Sequence, residues 1–314
     1  MRYRRLGDTE LEVSILGFGG APLGQEYGEL DEGDGARAVA HAVERGINFF
    51  DVAPYYGRLL AEERLGRALE RRRNEVVLAT KCCRYDRRGF DFSAARVHAD
   101  IDACLRRLRT DRVDLFQVHD VEFGDRRQIL EETLPAMREV QAAGKARYVG
   151  ITGLPVHMLR ALADAFAVDT VLSYCHYNLM IDDLDDVLRP LGERGVGLIA
   201  ASPLHMGVLT GPGPQPWHPA PPEVLTAGRA AAALCAERGR ELAEVALGFA
   251  LDYPHVATTL CGMRDVHQVD ANLRALDAPR DPVLLEELRA LIAPVHGRTW
   301  HEGLPENAPP ALRG

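Results

Sequence analysis

The chain has 314 residues, 46% of them hydrophobic, and a formal net charge of −9. That length and apolar content support a full core in one large α/β domain or two ordinary ones, and the acidic balance argues against a broad nucleic-acid footprint. Residues 1–5 (MRYRR) run into Gly and acidic residues, and no apolar run reaches the length of a membrane span, so neither a secretory leader nor a membrane anchor is expected.

Residues 1–12 read as a short hairpin about a polar turn at Gly7-Asp8, placed to plug the bottom of a barrel built by the later strands. Beyond it, short β-rich runs alternate with longer helical stretches. Strands are predicted at 13–18, 48–52, 76–81, 114–119, 147–152, 170–175, 197–202 and 256–261. Helices are predicted at 34–45, 60–71, 94–108, 128–143, 156–165, 183–194, 225–249 and 266–276, with a break at Gly239 and a loop-rich tail after residue 294. Gly46 and Gly144 read as C-caps and Ser93 as an N-cap. The strands are continuous Val/Ile/Leu runs, the pattern of a parallel sheet covered on both faces. Eight of them in strict alternation with helices give an α/β (β/α)8 TIM barrel, with a short N-terminal hairpin and an extra C-terminal helix or tail, as a single domain over residues 1–314. The rival is an open doubly wound sheet, for which GFGG at 17–20 is the lure; Pro22 stands where its third Gly belongs, and no helical pattern opens there. The segment 211–222 holds six prolines and reads as a stiff excursion over the active face. The six cysteines form no CxxC pair and no Cys/His metal spacing, so buried thiols in a reducing cytoplasm and no metal are expected.

Three predicted strands end in ionisable groups. GINFFDVAPYYG at 46–57 carries Asp51 at the strand end and Tyr55 and Tyr56 in the loop after it; the next two strands stop at Lys81 and His119. In a barrel the C-terminal ends of the strands meet at one mouth. A phenol exchanges protons poorly near neutrality, its ordinary pKa being about 10, and a nearby ammonium lowers that value. Lys81 is therefore expected to activate Tyr56. Asp51 is expected to hold Lys81, offsetting part of its effect, and His119 to hydrogen-bond a substrate oxygen. Each residue alone reads as a surface ion pair, a rim histidine or a packing ring. Together they suit proton transfer at a carbonyl or alcohol oxygen coupled to hydride transfer at the attached carbon.

These segments resemble the aldo-keto reductase superfamily, in GINFFDVAPYYG and in LRRLRTDRVDLFQVHD at 105–120. The resemblance implies a (β/α)8 barrel, a nicotinamide cofactor and no metal. It also implies Tyr56 as general acid/base, with Asp51, Lys81 and His119 completing the catalytic set. SYCHYN at 173–178, ASPLHMGVLT at 201–210, PWHPAPPE at 216–223 and CGMRDVHQVDANL at 261–273 are similar to the L-galactose dehydrogenase and aldose 1-dehydrogenase branch. That branch implies oxidation of the anomeric hydroxyl of L-galactose, L-fucose or a related sugar to the aldonolactone. An NADPH-dependent aldehyde or ketone reductase and a pyridoxal-type aldehyde dehydrogenase are alternatives on the same scaffold.

By the same resemblance, Gly19, Thr152, Tyr174, Ser202, Leu204 and Gly207 border the nicotinamide and pyrophosphate, and Gly262, Arg264, Asp265, Gln268 and Asn272 border the adenosine. The chain departs from the family pattern in Thr152-Gly153 for Ser-Asn, Tyr174 for Gln and Ala201 for an aromatic. Gly262 and Gln268 stand where NADP-specific members place Lys and Arg, and Asp265 would repel a 2′-phosphate, so NAD is favoured over NADP although Arg264 argues the other way. Phe18, Tyr55, His119, Trp217 and Trp300 are the candidate substrate walls, aromatic faces suiting a sugar. The expected partner is a small-molecule sugar, with no nucleic acid and no membrane, and the expected assembly a monomer or weak homodimer in the cytoplasm.

Overall fold

The computed structural model describes residues 1–309. β1 (Tyr3–Arg5) and β2 (Glu12–Ser14) form an antiparallel hairpin with Tyr3 opposite Ser14. After them come β3 (Leu16–Gly19), β4 (Phe49–Asp51), β5 (Val77–Cys82), β6 (Val113–Val118), β7 (Ala146–Gly153), β8 (Thr170–Tyr174), β9 (Gly197–Ala201) and β10 (Thr258–Gly262). These eight are parallel and close into a barrel, in which β10 pairs with both β9 and β3. The expected first barrel strand, 13–18, is divided at Ile15. Its N–H still donates to Arg2 O in the hairpin (3.0 Å), while its carbonyl accepts from Thr259 N in the barrel (2.8 Å).

Alternation along the strands sorts side chains into two layers. Phe49, Ala79, Leu115, Leu172, Ile199 and Leu260 point inward and pack with Leu6, Leu11 and Val13 of the hairpin, which plugs the barrel bottom as expected. Leu16, Phe18, Phe50, Leu78, Phe116 and Ile151 point outward into the layer beneath the helices. Those helices start and stop on local signals. Ser93 Oγ accepts from Arg96 N before helix Ala94–Leu108. Gly46 and Gly144 end their helices at φ of 86° and 76°, a conformation that costs glycine least. The stretch predicted at 225–249 is two helices, Pro222–Glu237 and Leu242–Leu251, with left-handed Gly239 between them. The extra C-terminal helix is Pro282–Ile292.

The chain then crosses the C-terminal end of the barrel. Gly297 N donates to Met180 O (2.9 Å), Leu304 N to Glu122 O (2.9 Å), and Asn307 Nδ2 to Glu122 O and Gly124 O (2.9 and 3.0 Å). Residues 310–314 of the predicted tail lie outside the described residues. No described helix is long and apolar enough to cross a membrane.

Candidate active site

Inside the barrel the apolar layer gives way to polar groups at the strand ends. Asp51 comes two residues after Phe49, Lys81 two after Ala79 and Gln117 two after Leu115, so all three point inward one layer above the plug. Lys81 Nζ donates to Asp51 Oδ1, and also to Val52 O at 3.0 Å. Gln117 Nε2 donates to the other Asp51 oxygen at 3.0 Å. Lys81 Nζ lies 5.1 Å from the centroid of the Tyr56 ring, and that ring stands edge-on to His119 with centroids 5.8 Å apart. Asp51, Tyr56, Lys81 and His119 are therefore gathered at one mouth.

Tyr56 is delivered by a tight loop. Its N–H bonds to Ala53 O at 3.1 Å, and Gly57 comes next at φ of 62°. Gly24 and Gly57 bring this loop against the loop after β3 backbone to backbone, with no room for a side chain on either. His119 N donates to Cys82 O at 3.2 Å, which extends the β5–β6 pairing one residue beyond the C-terminal end of β6.

The electrostatics differ from the sequence expectation in one respect. Burial, and after it the charge of Asp51, pushes the Tyr56 phenol well above its ordinary value. Lys81 does not dominate, because its charge is already answered by the carboxylate it touches. Burial also pushes the Asp51 carboxyl up, against the pull of Lys81 and Gln117. Burial takes the His119 imidazole down to about 3, so it is neutral at physiological pH and carries one donor and one acceptor nitrogen. At rest the site thus holds a protonated phenol and a neutral imidazole beside the buried Lys81–Asp51 contact.

Sequence reasoning missed four groups here: Gln117, Arg84, Asp120 and Glu122. Gln117 had a signal, since it lies two residues before His119 on the same face of β6. Glu122 Oε1 accepts from Leu154 N (3.1 Å) and Tyr174 OH (3.3 Å). A Cβ on Gly153 would fall 2.6 Å from Glu122 Oε2, so the missing side chain at 153 is what admits this carboxyl. Burial, and then Asp120, pushes Glu122 well above the usual carboxylate range.

Two candidate substrate walls are corrected. Phe18 is fully buried in the outer layer and stacks on Phe50 at 5.0 Å; strand alternation turns it away from the mouth. Trp300 is a packing residue, 7% exposed, with its ring edge-on to His205 and His218 at 5.3 and 5.2 Å. Tyr55 stays at the mouth, 6.0 Å from His119. Trp217, in the proline-rich excursion, is 43% exposed and meets Tyr27 of the loop after β3 at 5.8 Å.

The aldo/keto reductase family model matches residues 15–293. The chain belongs to the aldo/keto reductase family. It is 44% identical to L-galactose dehydrogenase of Arabidopsis thaliana, over 98% of this chain and 99% of that protein. It is 29% identical to D-arabinose 1-dehydrogenase of Saccharomyces cerevisiae, over 93% of this chain and 95% of the relative. The holo form of an aldo-keto reductase from Bacillus halodurans superposes with a TM-score of 0.78 at 29% identity, covering 96% of this chain and 98% of the other.

Enzymes of this family are oxidoreductases that use a nicotinamide cofactor, and the residues expected to border one lie at or just past the C-terminal ends of β3, β7, β8, β9 and β10. Gly19 and Gly262 are register partners at the ends of β3 and β10, and Pro22 of the loop after β3 closes over Gly262, where a Cβ would fall 3.1 Å from the proline ring. In the β9 loop, Ser202, His205 and Met206 are left-handed, and Gly207 comes next at φ of 104°. Leu204 packs between two apolar clusters. Thr152 Oγ1 accepts from Asp120 N at 3.1 Å, leaving its own proton to donate. At the far end, Asp265 Oδ1 caps helix Val266–Asp277 by accepting from Gln268 N (2.8 Å), and its other oxygen pairs with Arg264 (3.3 Å). Gln268 Oε1 accepts from Arg264 N, and Asn272 Nδ2 reaches Gly262 O at 3.4 Å.

Proposed function

We propose that this protein oxidises the anomeric hydroxyl of an aldose, L-galactose or a close relative such as L-fucose, to the aldonolactone with NAD as hydride acceptor. The observation that carries the reading is the four-residue cluster at the mouth of a chain 44% identical, end to end, to a protein named L-galactose dehydrogenase. The relative named D-arabinose 1-dehydrogenase supports the same reaction class. The bound cofactor supplies the site that takes up hydride. Tyr56 takes the hydroxyl proton as the C1–H bond gives up its hydrogen and electron pair, and the C1–O bond becomes the lactone carbonyl. His119 hydrogen-bonds the same oxygen and fixes its distance from Tyr56. Lys81, held by Asp51 and Val52, keeps a positive charge beside the phenolate that must form. Because burial holds Tyr56 protonated at rest, oxidation requires deprotonation first, and its rate rises with pH through the neutral and alkaline range.

The adenosine end supports NAD. Asp265 fills the helix N-terminus that would otherwise attract a phosphate, and it also occupies Arg264. Six buried free thiols support residence in a reducing cytoplasm, and the chain is proposed to act as one domain, a monomer or weak homodimer. The test is a panel of L-galactose, L-fucose and D-arabinose with each cofactor, read as reduced nicotinamide at neutral and alkaline pH. NAD-dependent turnover of at least one aldose is expected. Folded protein that reduces no NAD with any of them would sink the proposal.

A further inference from the structure

Two charged groups beside the mouth take no part in the proton transfer. Arg84 comes three residues after Lys81, past Cys83, which turns the chain at φ of 73°. Asp120 directly follows His119 and is itself left-handed at φ of 50°. Neighbours on a strand point to opposite faces. The turn at Asp120 instead brings its Oδ2 to 3.5 Å from His119 Nε2, and the same oxygen pairs with Arg84 Nη1. The Arg84 guanidinium lies 3.9 Å from the ring centroid of Tyr55, 5.1 Å from Phe123 and 5.3 Å from Phe90, so three rings fix its position. Arg84 is only 9% exposed, and its Nε has no partner among the described residues.

A buried pair of this kind adds little net stability, because desolvation offsets the attraction; apolar residues would fold as well. What it adds is a fixed acceptor and fixed donors next to the imidazole that meets the reacting oxygen. A sugar hydroxyl both donates and accepts, so one such group can answer the carboxylate and the guanidinium together. A simple alcohol offers neither contact and leaves Arg84 Nε, which has no partner among the described residues, unanswered, and an unanswered buried polar group penalises binding. We propose that Arg84 and Asp120 bind the hydroxyl on the carbon adjacent to the reacting one, and thereby select polyhydroxylated substrates over simple ones. This rests on the aldose reading above and names the part of the substrate that the site recognises.

The test compares L-galactose with its 2-deoxy derivative in wild type, Asp120→Asn and Arg84→Lys. The readout is kcat/KM, or the inhibition constant where turnover is too slow. NAD affinity by fluorescence quenching and the melting temperature serve as checks that the holoenzyme forms. Wild type is expected to prefer the parent sugar by about a hundredfold or more. Each variant should lose most of that preference because the parent sugar suffers, while the deoxy sugar and NAD change by less than about threefold. Equal losses for both sugars, no change for either, or a wild type without preference would overturn the proposal. Should Asp120→Asn fail to fold, Arg84→Lys carries the comparison alone. A wild type that oxidises no aldose would instead overturn the functional reading on which this one stands.

Discussion

Asp51 is the hinge of the residue-scale picture. One of its oxygens takes Lys81 and the other takes Gln117, so a single buried carboxylate fixes two side chains from adjacent strands. Truncating one partner of a buried ion pair strands the other, a loss of about 3–5 kcal/mol. Lys81→Met should therefore lower stability as well as turnover. Tyr56→Phe should separate the two: it leaves the ion pair intact and is expected to cut kcat by about 10²–10⁴-fold, with affinity for the nicotinamide cofactor and melting temperature little changed. Steady-state kinetics beside a cofactor titration would check this, and undiminished turnover would remove Tyr56 from the chemistry. At this scale Asp51, Tyr56, Lys81 and His119 are legible in the sequence because each sits where an apolar strand stops or just past it. Arg84 and Asp120 are not, because their placement depends on left-handed residues that break the strand alternation. Phe18 misleads for the opposite reason: the alternation holds there, and it points outward.

At the scale of elements, the sequence merges the hairpin with the strand after it, because Val13 through Phe18 reads as one apolar run. Nothing in composition marks Ile15 as the residue whose N–H serves one sheet and whose carbonyl serves another. The turn at Gly7-Asp8 is legible, and the structure adds what holds it: Asp8 N donates to Gly195 O at 2.7 Å, at the start of the segment leading into β9. Leu6 lies fully buried on the barrel axis side, among Phe49, Leu115 and Ile199. Leu6→Ala leaves a cavity that the rigid strands cannot close, and should cost about 2–5 kcal/mol. Urea denaturation would measure it. A loss well below about 1 kcal/mol would mean that the hairpin is dispensable to the barrel. The mouth lies at the opposite end, so kcat in the folded variant should be near wild type.

For the whole molecule, the buried ionisable groups set the response to acid. Burial, with help from His218 and His176, takes His205 down to about 3, and burial takes His119 to a similar value. Both pKa values are lower in the folded chain than in the unfolded one, where the reference is about 6.5. Below that pH the unfolded chain binds protons that the folded one refuses, so stability is complete above about 6.5 and falls toward 3. Glu122 works the other way: its raised value makes it favour the fold below the ordinary Glu range and weaken it as pH rises. Neither ring nitrogen of His205 has a hydrogen-bond partner among the described residues. His205→Phe should therefore flatten the fall of unfolding free energy, measured by denaturant titration, between about pH 6.5 and 4, by up to about 1.4 kcal/mol per pH unit. A slope identical to wild type would show that His205 is not among the titrating groups. None of this is legible in the sequence, since burial of a histidine is a property of the closed barrel and not of its neighbours in the chain.

The two ends of the described chain lie on opposite faces of the barrel. The leading residues are stitched into the plugged base, while residues 297–308 are tied across the rim to Met180, Glu122 and Gly124. Tethering the protein to a bead or electrode ahead of Met1 would leave the open side facing the solution. A carrier joined after the rim crossing would hang over the doorway and slow the passage of sugar without touching a single reacting atom.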